Sequence, residues 1–279
     1  MTSHSIRTAS VIYYSQTGHT KRYARYIAHL LQQDGLEVDT FDVLTSDPTD
    51  VPRSDLVVVG TPVFYYDVPE NAADWLRRLP DLNGAFGAAF ATYGGEGDNQ
   101  HNTACTIFDI LAEKGARPAA MATFGNMSTF APTWSMGNEQ RILAYTHLPD
   151  DVTYRRVADF AHEALDRARG DEIIEAKKRP SFSNLIRGRP FMKLTKLFIT
   201  GHGIDENACT DCGLCERSCP VRAIDLKTHS VNTKRCIACL GCVNTCPEGA
   251  VQMKFLGKPV WGLTAFRKKH AITVKAPPM

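Results

Sequence analysis

The sequence lacks long apolar runs. No stretch approaches the roughly 18 consecutive apolar residues of a membrane-spanning helix, so no transmembrane segment is expected. It contains neither G-x-x-x-x-G-K-S/T nor G-x-G-x-x-G, which removes support for a nucleoside triphosphate or dinucleotide site. Met1–Ser10 lacks the charged-then-apolar pattern of a secretory leader, and the expectation is a soluble, cytoplasmic protein. Cysteine is nearly absent from most of the chain: Cys105 stands apart, and the other eight of nine crowd into Cys209–Cys246. In a chain without a leader, regular CxxC spacing indicates metal rather than disulfides.

What is present is enough to fold. The 279 residues are 43% hydrophobic and 22% charged, sufficient for a buried core. The net charge of +2 conceals a division into −9 over residues 1–166, +6 over 167–200 and +5 over 201–279. Strand-like and helix-like stretches alternate through the first part. Ala9–Tyr14, Leu36–Val43, Ser54–Thr61, Phe86–Thr92 and Pro118–Phe124 read as strands. Gly18–Gln33, Pro69–Leu79, Thr103–Lys114 and Val152–Arg169 read as helices. Leu56–Val59 is the continuous apolar run of a strand covered on both faces. Five such strands predict an α/β fold with a parallel sheet and helices on both sides. The expected division is a first domain at 1–169, a basic linker at 170–200 with an amphipathic stretch at Phe191–Ile199, a cysteine-rich domain at 201–253, and a loosely ordered basic tail at 254–279.

The strongest signal is an internal duplication. Cys209-x2-Cys212-x2-Cys215-x3-Cys219-Pro220 recurs 27 positions later as Cys236-x2-Cys239-x2-Cys242-x3-Cys246-Pro247. A cuboidal iron–sulfur cluster needs four thiolates. A CxxCxxC loop supplies three, and the fourth cysteine reaches the other cluster. The predicted sets are Cys209, Cys212, Cys215 and Cys246 for one [4Fe–4S] cluster, and Cys236, Cys239, Cys242 and Cys219 for a second. Structural zinc usually takes two CxxC pairs instead. A unit this small would rely on the clusters as staples. With all eight cysteines and both prolines, the region resembles bacterial two-cluster ferredoxins, small α+β domains, which implies that each cluster carries single electrons.

A second motif follows the first strand. Tyr14-Ser15-Gln16-Thr17-Gly18-His19-Thr20 combines hydroxyls, a glycine and a helix start, an anion cradle without Lys or Arg that suits a monophosphate. It resembles the phosphate loop of flavodoxins, whose doubly wound five-stranded sheet binds FMN at its switch point. His19 departs from the Asn common there. The resemblance implies FMN contacts from Ser15, Gln16, Thr17, Gly18, His19 and Thr20. It also implies contacts from the loops after strands three and four: Thr61, Pro62, Val63, Phe64 and Tyr65, then Thr92, Tyr93, Gly94 and Gly95, the latter loop running on to Asp98. Phe64, Tyr65 and Tyr93 are the rings expected at the isoalloxazine.

The domain order over residues 8–253 resembles EFR1-type flavodoxin–ferredoxin fusions of anaerobes. It implies an electron carrier between FMN, two [4Fe–4S] clusters and redox protein partners such as ferredoxin-type oxidoreductases. The alternative is an enzyme that reduces a small organic substrate at the flavin with electrons from the clusters. No residue is assigned a catalytic role, and neither oligomeric state nor direction of electron flow is legible. Met127–Asn138 reads equally as a surface loop with one anchoring Trp, a flavin cap or a contact to the cysteine-rich domain. Cys105 reads as a small core residue, and His101, His147 and His162 as surface or core histidines. Lys177–Arg179 and Arg267–His270 read as solvated charge, with no nucleic acid expected. The charge division predicts electrostatic docking of the two domains within one chain.

Overall fold

Short β-branched runs alternating with amphipathic stretches should stack as a covered parallel sheet. In the computed structural model of the chain, which describes residues 5–95, 99–181 and 188–279, they do so. The elements run β1 (Thr8–Tyr13), α1 (His19–Gln33), β2 (Glu37–Asp42), β3 (Leu56–Pro62), α2 (Glu70–Arg77), β4 (Phe86–Tyr93), α3 (Asn99–Glu113) and β5 (Arg117–Gly125). Two short helices follow, α4 (Pro132–Ser135) and α5 (Glu139–Leu143), and then α6 (Asp151–Arg169). The five strands are all parallel in the order β2-β1-β3-β4-β5. This is a flavodoxin-like, doubly wound sheet.

The period-2 alternation of the strands divides the core. Val11, Val58, Phe90 and Phe124 pack with Tyr23, Ile27 and Leu31 of α1 and with Tyr154, Val157 and Phe160 of α6. Their neighbours Ile12, Val57, Val59 and Ala89 turn to the other face, against Trp75 and Leu76 of α2 and Ile107 and Leu111 of α3. Chain leaving β1 therefore goes to one face and chain leaving β3 to the other. The crevice between them is the topological switch point. At the entry of α6, the Asp150 carboxylate accepts from Thr153 N at 2.7 Å, a cap worth about 1 kcal/mol.

The remaining elements are α7 (Arg189–Leu197), β6 (Ile199–Ile204), α8 (Leu214–Arg217), β7 (Ile224–Asp225), β8 (Ser230–Val231), α9 (Gly241–Thr245), β9 (Val251–Phe255), β10 (Lys258–Pro259) and α10 (Leu263–Lys269). The duplication seen in the cysteines extends to the sheets. Ile204 of β6 pairs with Val251 of β9, and Val231 of β8 pairs with Ile224 of β7. Adding 27 to the first residue of one pair gives a member of the other, so each antiparallel pair joins the strand before one cysteine set to the strand after the other.

The structure distributes the chain differently from the expected division. Among the described residues, one compact unit is drawn from within 1–126, 148–188 and 275–279, and the other from 127–147 and 189–274. Residues 127–147, assigned from sequence to the first domain, supply Met127, Trp134 and Ile142 to the core of the cysteine-rich unit. Trp134 is buried, stacks at 4.7 Å on Phe266 and donates its indole N–H to Trp261 O at 2.8 Å. The expectation of a loose tail from Lys254 is corrected in the same way. Val260, Leu263 and Phe266 are buried in that core, and burial of such side chains holds β10 and α10 in place. Asn244, between two cluster-type cysteines, fastens both additions. Its side chain donates to Thr129 O at 2.8 Å and accepts from Leu263 N at 3.1 Å. Gly262 lets the backbone cross α9, since a Cβ there would lie 1.9 Å from Val243 O. Part of the expected linker also belongs elsewhere. Ile174 N donates to Pro118 O at 2.8 Å, and the Asn102 side chain both accepts from Arg179 N and donates to Arg179 O, fixing this stretch along the first unit.

Candidate iron–sulfur and flavin sites

The eight clustered cysteines surround two cavities. Cys209, Cys212, Cys215 and Cys246 line one, with Ile204, Leu226 and Val251, around about 320 Å³ of space partly open to solvent. Cys219, Cys236, Cys239 and Cys242 line the other, with His202, Ile224 and Met253, around about 350 Å³ of space that is likewise partly open to solvent. Each cavity thus takes three cysteines from one repeat and one from the other, the crossed grouping expected from the spacing.

Backbone conformation produces this convergence. Asp211 (φ 49°) and Gly213 (φ 75°) are left-handed, and so are their counterparts 27 positions on, Ala238 (φ 54°) and Leu240 (φ 62°). Alternating hand along a loop turns successive N–H groups and side chains inward, forming an anion-binding nest. Left-handed Ala and Leu cost energy, and they persist only where the surroundings over-determine them. Ala223 N donates to Cys219 Sγ at 3.1 Å and Ala238 N to Cys236 Sγ at 3.3 Å.

The thiols fit an iron core by their chemistry. Burial raises the proton affinity of Cys215, and the nearby Cys246, Cys209 and Cys212 raise it further. Burial likewise drives Cys242 well above the ordinary thiol value, with Cys239, Cys236 and Cys219 adding to it. Burial also raises Cys236, against the opposing hydrogen bond from Ala238. Four thiolates in such a space require compensating positive charge, which the iron of a bound cluster would supply.

Sequence reading missed His202. Its Nε2 lies 3.5 Å from Cys242 Sγ and its Nδ1 4.0 Å from Cys236 Sγ, and burial lowers its proton affinity below the usual histidine value. The available signal was the repeat, because His202 and His229 occupy equivalent positions. His229 instead pairs with Asp211 at 2.9 Å, whose carboxylate stands 3.7 Å from Cys209 Sγ.

In the first unit, three loops meet at the carboxyl ends of β1, β3 and β4. Ser15, His19 and Thr20 are buried, while Gln16, Thr17 and Gly18 are half-buried. Gly18 (φ 89°) is the N-cap of α1, so the first turn of that helix follows directly on the loop, the arrangement of an anion site at a helix start. The Thr20 and Thr92 hydroxyls are 2.8 Å apart, joining the first loop to the third. Val63 N donates to Thr92 O at 3.0 Å, joining the second to the third. The third is anchored by Asn126, whose backbone and side-chain N–H groups both reach Tyr93 O, another contact missed from sequence. Pro62, Val63, Phe64, Tyr65, Tyr93, Gly94 and Gly95 remain half-buried at the crevice; residues 96–98 of that loop lie outside the described residues.

Two features fit a ligand there. The Thr61 hydroxyl is fully buried with no hydrogen-bond partner among the described residues. Phe64 and Asp67 exchange backbone hydrogen bonds across Tyr65 (φ 48°) and Tyr66 (φ 66°), a tight turn whose two left-handed positions normally take Asn and Gly. Two tyrosines in that conformation break the local rule, as expected where function fixes the backbone. By contrast Cys105 is a buried core residue, and burial raises its thiol.

Comparison with known proteins gives the class. Residues 11–129 match the flavodoxin family, and residues 202–247 match the 4Fe-4S dicluster domain. A flavodoxin of Clostridium saccharobutylicum is 26% identical over 142 residues, covering 50% of this chain and 82% of that protein. Among solved structures, a flavodoxin from the domain Archaea overlays with a TM-score of 0.44 at 19% identity, covering 58% of this chain and 98% of its own. Flavodoxin 1 of Bacillus cereus does so at 0.45 and 16%, covering 57% and 97%. The chain therefore carries a flavodoxin domain followed by a 4Fe-4S dicluster domain, which implies FMN, iron–sulfur clusters and a role in electron transfer. None of the described helices is long and apolar enough to cross a membrane.

Proposed function

We propose that this chain is an EFR1-type flavodoxin–ferredoxin fusion that passes electrons between one FMN, two [4Fe–4S] clusters and external redox proteins in the cytoplasm. The observation that carries the reading is the pair of four-cysteine cavities, each closed by a loop with left-handed residues at equivalent positions. Bound FMN would take up two electrons and release them singly, and each cluster would carry one.

The residues divide the work. Ser15, Gln16, Thr17, His19 and Thr20 would hold the FMN phosphate with hydroxyls and helix-start N–H groups, with Gly18 allowing the turn. Thr61, Pro62, Val63, Phe64 and Tyr65, with Thr92, Tyr93, Gly94 and Gly95, would line the ring and exclude water from one side. Cys209, Cys212, Cys215 and Cys246 would ligate one cluster, and Cys236, Cys239, Cys242 and Cys219 the other. The partners would be ferredoxin-type oxidoreductases.

Anaerobic titration with a substoichiometric one-electron reductant tests this. Electrons should distribute between flavin absorbance and cluster paramagnetic signals in one chain, and an added ferredoxin-type oxidoreductase should withdraw them. Flavin and clusters that fail to equilibrate within the chain would contradict the reading.

A further inference from the structure

The two cysteine quartets are near-copies, so their differences are informative. His202 and His229 are equivalent by the 27-residue repeat, as are Asp211 and Ala238. In the first repeat Asp211 is a carboxylate, and it engages His229 at 2.9 Å, so that imidazole is paired with a carboxylate beside Cys209. In the second repeat Ala238 offers no such partner, and His202 faces the sulfurs of Cys242 and Cys236 directly. The backbone arranges this. The pairing of β6 with β9 slips between Thr200 and Gly203, with Gly201 left-handed at φ 58°. A bulge of this kind re-aims the side chain it carries, and the side chain here is His202, which lines the second cavity.

Resting on the reading that each quartet holds a cluster, we propose that His202 donates a hydrogen bond to Cys242 Sγ and sets the Cys219/Cys236/Cys239/Cys242 site at the higher reduction potential. The first electron entering the dicluster unit then settles there. Reduction adds one electron to a group already surrounded by four thiolates. A donor aimed at a ligand sulfur stabilises that added charge, whereas a nearby carboxylate opposes it. The second quartet has the imidazole and the Ala223 and Ala238 amides on its sulfurs. The first quartet has the Asp211 carboxylate 3.7 Å from Cys209 Sγ, part of a Cys209, Asp211 and His229 group within 4.8 Å of one another. Burial works the other way, because the second quartet is less exposed than the first, which includes exposed Cys212. His202 is the contact that offsets this burial. It is a positioning residue: it ligates no iron in this account and acts through Cys242.

The test is a redox titration of the anaerobically purified full chain, followed by electron paramagnetic resonance, on the unsubstituted protein and on His202→Phe, His202→Gln and Asp211→Ala. In the unsubstituted protein the potentials should differ. Nitrogen-15 histidine labelling should give a hyperfine coupling in the cluster that is reduced first. His202→Phe should lower that potential by about a tenfold change in its equilibrium constant, which is about 59 mV for a one-electron couple, and leave the other unmoved. His202→Gln, which keeps a donor, should restore most of the shift. Asp211→Ala should raise the other potential and narrow the gap, since it removes the carboxylate and releases His229. Unmoved potentials in His202→Phe, an equal shift of both, or a Gln variant that behaves like Phe would overturn the inference. An unsubstituted chain with no cubane clusters would remove the underlying reading and the inference together.

Discussion

The two units of this chain solve the same problem differently. The first buries continuous apolar strands between two helical layers, so its centre consists of side chains such as Val58, Phe90 and Phe124. The second packs its apolar core around two cysteine-lined cavities, and its fully buried large aromatic residues, Trp134 and Phe266, come from chain outside the cysteine repeat. The first unit should therefore hold its fold without a ligand, and the second should not. A loop that keeps Ala238 and Leu240 left-handed spends conformational energy that only a ligand at its centre returns.

Iron removal should separate the units most sharply. Under anaerobic chelation, amide hydrogen exchange should rise throughout β6–β9 to the level of an unfolded chain, while β1, β3 and β4 stay protected. Protection in both units after complete iron loss would break the comparison.

The next effect is on packing. Trp134→Ala should cost the cysteine-rich unit about 3–5 kcal/mol, the usual range for deleting a buried large aromatic. It should speed cluster loss and leave FMN affinity unchanged. A fragment limited to residues 201–253 should fail for the same reason, because it lacks Trp134, Val260 and Phe266. A stable two-cluster fragment of that length would contradict this account of the core.

Smaller effects belong to the first unit. Gly18→Val forces a β-branched residue into φ 89°, at a cost on the order of 1–3 kcal/mol. Flavin fluorescence should report weaker FMN binding, with the cluster signals untouched. Asp55 gives the smallest effect and a pH signature. Burial pushes its carboxyl up, but the amides of Arg7 and Thr8 and the Thr8 hydroxyl outweigh this and hold it below the usual carboxylate range. A depressed folded value stabilises the fold above the unfolded pKa of about 3.9, and that contribution disappears as pH falls through the folded value. Asp55→Asn should thus cost on the order of 1 kcal/mol at neutral pH. In urea titrations the difference from the unsubstituted protein should vanish in strong acid.

Legibility followed locality. The strands were readable because each carries its own alternation or apolar run, and Leu56–Val59 declared a doubly covered strand outright. The cysteine quartets were readable because one spacing occurs twice. What escaped depends on contacts between distant segments. Met127–His147 has no period of its own, and Trp134 acquires a role only when Trp261 and Phe266 arrive more than a hundred residues later. The α10 segment, with Arg267, Lys268 and Lys269, read as tail because its charges outnumber the two buried residues, Leu263 and Phe266, that anchor it. His202 escaped because a bulge, rather than a motif, directs it.

The central claim is that one chain holds one flavin and two cubane clusters. Purification without oxygen, followed by measurement of iron, acid-labile sulfide and released flavin per chain, tests it most directly. Two [4Fe–4S] clusters require about eight iron and eight sulfide, and the account predicts these with one FMN. About four iron, or full iron with no FMN even after reconstitution, would contradict it.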